Sequence, residues 1–140
     1  MAKQTRKALR KQVAENAKYC CEYCYSQETF SPDSFSIEHI IPASKNGTDQ
    51  PENLAFACQG CNSRKYNHTE AIDPVTNKTS RLFHPRKDNW QDHFQWNIDQ
   101  TKIIGLSPIG RATIERLGMN RAGITNLRTL LIPFGLHPPK

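Results

Sequence analysis

Apolar residues recur every four positions near the start of the chain, at Leu9, Val13 and Ala17, with Lys and Arg filling the intervening faces. This spacing predicts an amphipathic helix over residues 5–19, with Thr5 as its N-cap. Ser, Pro and Asp over residues 30–36 mark a turn. Phe35, Ile37, Ile40 and Ile41 then predict a strand that stops at Pro42. Residues 45–52, Lys-Asn-Gly-Thr-Asp-Gln-Pro-Glu, are dense in turn formers and predict a loop. A second short strand follows over residues 53–57, and a helix opens at Gly60 and runs to Asn67.

Beyond Asn67 the pattern weakens. Asp73-Pro74 and Val75-Thr-Asn-Lys interrupt any periodicity, and Leu82-Phe-His-Pro-Arg reads as an extended wrap. Phe94, Trp96, Ile98, Ile103 and Ile104 predict a small strand pair. Ala112, Leu117, Ile124, Leu127 and Leu131 predict two helices broken near Gly118, and Pro138-Pro139 forms a tail. The sequence contains no internal repeat. Its 140 residues suit a single domain, residues 1–140, made of a basic helix (1–20), a central segment (21–67) and a C-terminal extension (68–140).

Composition sharpens this picture in two ways. The hydrophobic fraction is 36%, and the 7 glycines do not lift it to the roughly 45–50% of an average globular protein. Stability is therefore expected to come partly from outside the core. The formal charge is +6, and residues 1–20 hold Lys3, Arg6, Lys7, Arg10, Lys11 and Lys18 against Glu15 alone, a local +5. Such a balance fits a polyanionic partner. No stretch reaches the ~18 apolar residues of a membrane span, and the charged opening segment lacks a secretion-type apolar region. The expectation is a cytoplasmic protein with no membrane partner.

Four of the 5 cysteines form two identical spacings, Cys21-x-x-Cys24 and Cys58-x-x-Cys61. Each C-x-x-C turn places two thiolates on one side of a tight knuckle, and two knuckles complete the tetrahedral shell that Zn²⁺ accepts at about 2.3 Å. A structural zinc would also supply folding free energy to a thin core. Two disulfides are the alternative, and they need an oxidising compartment. Cys20 is left over, as a spare thiol or a core residue.

Between the knuckles lie Glu38-His39 at a strand end, a loop, Asn53, and Asn62 on the helix beyond. A histidine suits general-base attack by water, and carboxylate and amide oxygens suit Mg²⁺ or Mn²⁺. Asn62 could instead serve only as a helix N-cap.

The combination Cys21-Glu-Tyr-Cys24, Glu38-His39-Ile-Ile-Pro42, Gly47-Thr, Glu52-Asn53-Leu54 and Cys58-x-x-Cys61-Asn62-x-x-Lys65 resembles the HNH endonucleases, the ββα-metal nucleases, in their four-cysteine zinc-bearing form. Ile72-Asp-Pro74, Leu82-Phe-His-Pro-Arg86, Trp90-x-x-His93-Phe94-x-Trp96 and Gly110-Arg-Ala-Thr113 look like the tail of a bacterial subgroup. The resemblance implies an α+β fold: a small zinc-stabilised ββα-metal domain with an N-terminal basic helix and a C-terminal wrap of short strands and helices. It implies that His39 activates water, that Asn53 braces the loop holding His39, and that Glu38 and Asn62 hold one catalytic Mg²⁺ or Mn²⁺. It further implies DNA hydrolysis to 5′-phosphate and 3′-hydroxyl ends, with RNA also open. Lys65 and Arg64, and Arg6, Lys7, Arg10 and Lys11 on the first helix, are candidates for phosphate contact. The rival reading is a zinc-stabilised module that binds nucleic acid without cutting it. His68, His84 and His93 are expected to be structural, and Trp90, Phe94 and Trp96 to belong to the core.

Overall fold

The computed structural model describes residues 6–140. The first helix, α1 (Arg6–Asn16), buries Val13 and Ala14, with Leu9 and Ala17 partly buried against the core. It is shorter than its apolar period suggests, because Lys18 and Tyr19 adopt positive φ. Thr5, the expected cap, lies outside the described residues. Two antiparallel strands follow, β1 (Ser36–His39) and β2 (Leu54–Ala57), with Ser36 opposite Ala57 and His39 opposite Leu54. The helix α2 (Gln59–Lys65) then packs across the hairpin. Strand, loop, strand, helix is thus the observed order of the centre, as its residues predict.

The extension holds more regular structure than expected. Where periodicity is broken by Asp73-Pro74, a second hairpin forms from β3 (Glu70–Ile72) and β4 (Thr79–Arg81). Local side-chain bonds, not periodicity, make this turn: the Asp73 carboxylate accepts from Val75 N and from the Thr76 hydroxyl at 3.1 and 2.8 Å. A short helix, α3 (Trp90–His93), leads into β5 (Phe94–Trp96), which pairs with β6 (Ile103–Gly105). The helices α4 (Pro108–Leu117) and α5 (Ala122–Leu131) are separated at Gly118, whose φ of +59° caps α4 in the left-handed region that favours glycine.

One cluster of buried apolar residues runs from Val13 through the cysteines and β2 to Phe83, Trp90, Phe94 and Ile124. The wrap is fastened to it by polar ties. Arg86 forks onto Glu22 at 2.6 Å through both terminal nitrogens, and Arg111 grips the buried Asp73 through Nε and Nη2, both at 2.9 Å. Paired guanidinium–carboxylate bonds of this kind are directional as well as strong. Trp90 and Phe94 are core residues and Trp96 is half-buried against them.

Candidate functional site

The four cysteine sulfurs of the two knuckles lie within 4.8 Å of one another, and all four residues are buried. Cys24 Sγ stands 3.7 Å from Cys58 Sγ, close to the about 3.8 Å between sulfurs of a zinc tetrahedron with 2.3 Å bonds. None of the cysteines is in a disulfide. The donor set therefore fits a structural zinc. Cys58 also caps α2, its sulfur accepting from Cys61 N at 3.4 Å, so Asn62 is not the N-cap. Cys20 is buried apart from the cluster, and that burial pushes its thiol up.

Two arginines, Arg121 just before α5 and Arg128 within it, attend this cluster. Arg121 donates to Cys58 Sγ at 3.4 Å and lies 3.7 Å from Cys61 Sγ. The cost of burying its charge is outweighed by the Cys61, Cys58 and Cys24 sulfurs, which hold it above the ordinary arginine value. Arg128, 3% exposed, donates to the carbonyls of Cys24 and Met119 and stacks over Trp96. A tetrathiolate zinc carries a net charge of about −2, and these guanidiniums stand where that charge would be.

The knuckle residues reach the hairpin directly. Glu22 accepts from Phe56 N at 2.8 Å while holding Arg86. Tyr23, fully buried, donates its hydroxyl to Glu38 Oε2 at 2.9 Å. The knuckle bearing Cys21 and Cys24 and the strand bearing His39 are thus one hydrogen-bonded unit.

His39 ends β1 with its side chain 41% exposed. Side-chain bonds from Asn53 and Lys65 fix the chain on its C-terminal side. Asn53 accepts from Ile41 N at 2.8 Å and donates to Ile41 O and Thr48 O at 2.9 and 2.7 Å. Lys65 donates to Ile40 O at 2.8 Å. Gly47 completes the loop by lacking a side chain, for a Cβ there would sit 1.6 Å from Ile41 O. Asp49 then meets the histidine, its Oδ1 2.7 Å from His39 Nε2. Nothing in the loop's composition separates Asp49 from an ordinary turn residue, so sequence reasoning passes over it.

Two expected roles are redirected by burial. Glu38 is 3% exposed, with Oε1 in an ion pair with Lys65 and Oε2 bonded to Tyr23. Desolvation pushes its carboxyl up, opposed by the Lys65 ammonium and the Tyr23 hydroxyl. As arranged, it does not fit a ligand for an ion shared with solvent. Lys65, expected on phosphate, is 1% exposed and spends its charge on Glu38 and the carbonyls after β1. The cause is register: Glu38 and Ser36 share one face of β1, and Gln59, Asn62 and Lys65 form one i, i+3 row on α2 facing it. Gln59 bonds Ser36 Oγ at 2.8 Å at one end of the row and Lys65 bonds Glu38 at the other. Asn62 lies between them, half-buried.

On α1, Arg10 pairs with Glu28 at 2.6 Å, bonds Phe35 O and lies over the Phe56 ring. It ties the helix to the fold and is not a free phosphate contact. Arg6, Lys7 and Lys11 are exposed, Lys11 beside Glu15 at 3.9 Å. Arg64 is exposed on α2. His84 and His93 bond within the wrap, to the Arg86 amide and the Ser107 hydroxyl. A groove of about 530 Å³ between the end of α1, Trp90 and the Pro138–Pro139 tail is lined by none of the residues expected to act on substrate.

Residues 21–68 match the family model described as HNH endonuclease. The segment carrying both knuckles, the β1–β2 hairpin and α2 is accordingly similar to the HNH endonucleases, and it forms an α+β unit around a four-cysteine cluster. No curated protein and no solved structure matches the chain. No helix among the described residues is long and apolar enough to cross a membrane.

Proposed function

We propose that this protein is a metal-dependent endonuclease that hydrolyses DNA phosphodiester bonds with His39 as the general base. The observation that carries the reading is the half-exposed His39 at the end of β1, its following residues pinned by Asn53 and Lys65, inside the segment that matches the HNH family. Asp49, accepting from Nε2, would keep the ring's proton there and leave Nδ1 as the acceptor for a proton from water. Asn53 acts through the loop and not on the substrate.

Family resemblance calls for one Mg²⁺ or Mn²⁺. Asn62, half-buried on α2, remains a candidate ligand. Glu38, engaged by Lys65 and Tyr23, does not fit that part. The arginine Arg64 and the exposed Arg6, Lys7 and Lys11 would meet backbone phosphates.

The closure of Glu38 also favours a second reading, a zinc-stabilised module that binds nucleic acid without cutting it. A nicking assay on supercoiled plasmid in Mg²⁺ or Mn²⁺ separates the two. Conversion to open-circle DNA by wild type, blocked by EDTA and reduced roughly 10²-fold or more by His39→Ala, is the expected result. Cleavage by His39→Ala at the wild-type rate refutes the assigned base. Binding without cleavage by the zinc-loaded wild type supports the module.

A further inference from the structure

Directly after α2 the chain makes a tight turn, Lys65-Tyr66-Asn67-His68, closed by a bond from His68 N to Lys65 O at 2.9 Å. Tyr66 occupies its second position with φ +49° and ψ −117°. That is the first central position of a type II′ turn, where glycine is the ordinary occupant because a Cβ is strained there. A bulky aromatic is among the least suited residues for it. Nor does packing offset the strain, since Tyr66 is 73% exposed and its ring meets His68 edge-on at a centroid distance of 6.5 Å. The fold would be better served by glycine.

The surroundings say what the ring can serve. Lys65, the preceding residue, holds the carbonyls of His39 and Ile40 at 3.4 and 2.8 Å, so the turn is attached to the strand end that carries His39. Exposed Arg64 precedes it on α2, and exposed Arg116 donates to the Arg64 carbonyl at 3.1 Å. Exposed Lys45, from the loop after His39, reaches Thr69 at 3.5 Å just beyond the turn. The turn bearing this exposed ring is thus tied through Lys65 to the strand end of a candidate hydrolytic residue and flanked by chain carrying Arg116, Lys45 and Arg64, the last with its Nη1 donating back to Gly60 O at 3.2 Å, and such surroundings suit a nucleobase on the ring with its phosphates on the cations. A base inside a continuous duplex stack cannot offer its face to such a ring; an unpaired one can.

We propose that Tyr66 is a base-stacking residue and that the preferred ligand of this site is a DNA strand with an unpaired base next to the phosphate facing His39. The inference rests on the nucleic-acid reading above but not on cleavage. Strain retained at an exposed aromatic is the mark of a residue kept for its ligand.

Fluorescence anisotropy tests it with a labelled single strand of roughly 20 nucleotides and the same strand annealed to its complement. Binding is read in Ca²⁺ without Mg²⁺ or Mn²⁺, on zinc-loaded wild type, Tyr66→Gly, Tyr66→Ala and Tyr66→Trp. Tyr66→Gly should melt higher than wild type by roughly 4 °C, because the turn is relaxed. It should nonetheless bind the single strand about 5- to 150-fold more weakly, the span of one lost stack, with duplex affinity little changed. Tyr66→Ala should show the same loss and Tyr66→Trp should retain binding. A Tyr66→Gly protein that binds the single strand as tightly as wild type, or that is no more stable, overturns the inference, as does a wild type that prefers the duplex or binds neither. Tyr66-dependent binding without nicking in the plasmid assay refutes the nuclease reading alone; nicking with Tyr66-independent binding refutes this inference alone.

Discussion

The cysteine cluster and the His39 site share the segment from residue 21 to 68, yet their surroundings differ in kind. At the cluster four like side chains converge, all buried, and the charge they would carry with zinc is met by Arg121 and Arg128. At His39 the ring is 41% exposed and its partner Asp49 is 90% exposed. A closed site must satisfy all its groups within the protein; an open one leaves capacity for what arrives. Tyr23 and Glu38 join the two, so the rigid region holds the strand from which the open one projects.

The largest effect follows from breaking the closed region. Zinc binding in small domains amounts to about 10–16 kcal/mol of apparent free energy that is also folding free energy, and Cys58 both donates to the cluster and caps α2. Cys58→Ser should lose its zinc and its cooperative thermal transition together, measured by metal analysis and circular dichroism. A stable, zinc-free Cys58→Ser protein would show that the wrap and core suffice.

That region was also the more legible of the two. Two C-x-x-C spacings specify where four identical atoms meet, and no other residue has to be known. The β1–β2–α2 order was legible for a similar reason, through Pro42, the loop formers and the apolar runs. What spacing could not give was partnership. Lys65 three positions after Asn62 reads as a cation for phosphate until the helix face is seen to lie on Glu38. Asp49 reads as one more turn former, and the pattern singles out neither Arg121 nor Arg128, which only the fold brings to the cysteine cluster. The β3–β4 hairpin was hidden because its turn depends on Asp73 bonding backbone and Thr76, with Arg111, 38 residues away, completing the pair.

The junction of the two regions should respond next most strongly. Removing one partner of a buried ion pair typically costs about 3–5 kcal/mol, because the other charge stays buried. Lys65→Met should therefore lower unfolding stability by about that amount in urea titrations of the zinc-loaded protein at neutral pH. Adding Glu38→Gln to it should recover much of the loss, since no buried charge is then left alone. A Lys65→Met protein as stable as wild type would mean that the ammonium is not what holds Glu38, and would reopen Glu38 to a cation.

The smallest effect lies in the wrap, outside both sites, and it is set by pH. Arg81 grips Asp88 through two bonds of 2.7 and 2.9 Å, and Asp88 also accepts from His84 N. The Arg81 guanidinium foremost holds the Asp88 carboxyl down to about 2, and Arg111 likewise holds Asp73 well below the usual range. A carboxyl depressed in the folded state stabilises fully above its unfolded value, near pH 4, and that contribution fades as pH falls through the folded value. The melting temperature of Asp88→Asn should thus lie below wild type at neutral pH, with the gap closing between about pH 4 and pH 2. Protons also compete with zinc for the thiolates on the acid side, so zinc release must be followed in the same titration. A gap that stays constant to pH 2 would show that Asp88 acts through its shape and not its charge; one that closes while zinc is retained would make the wrap, rather than the cluster, the first part of the fold to yield to acid.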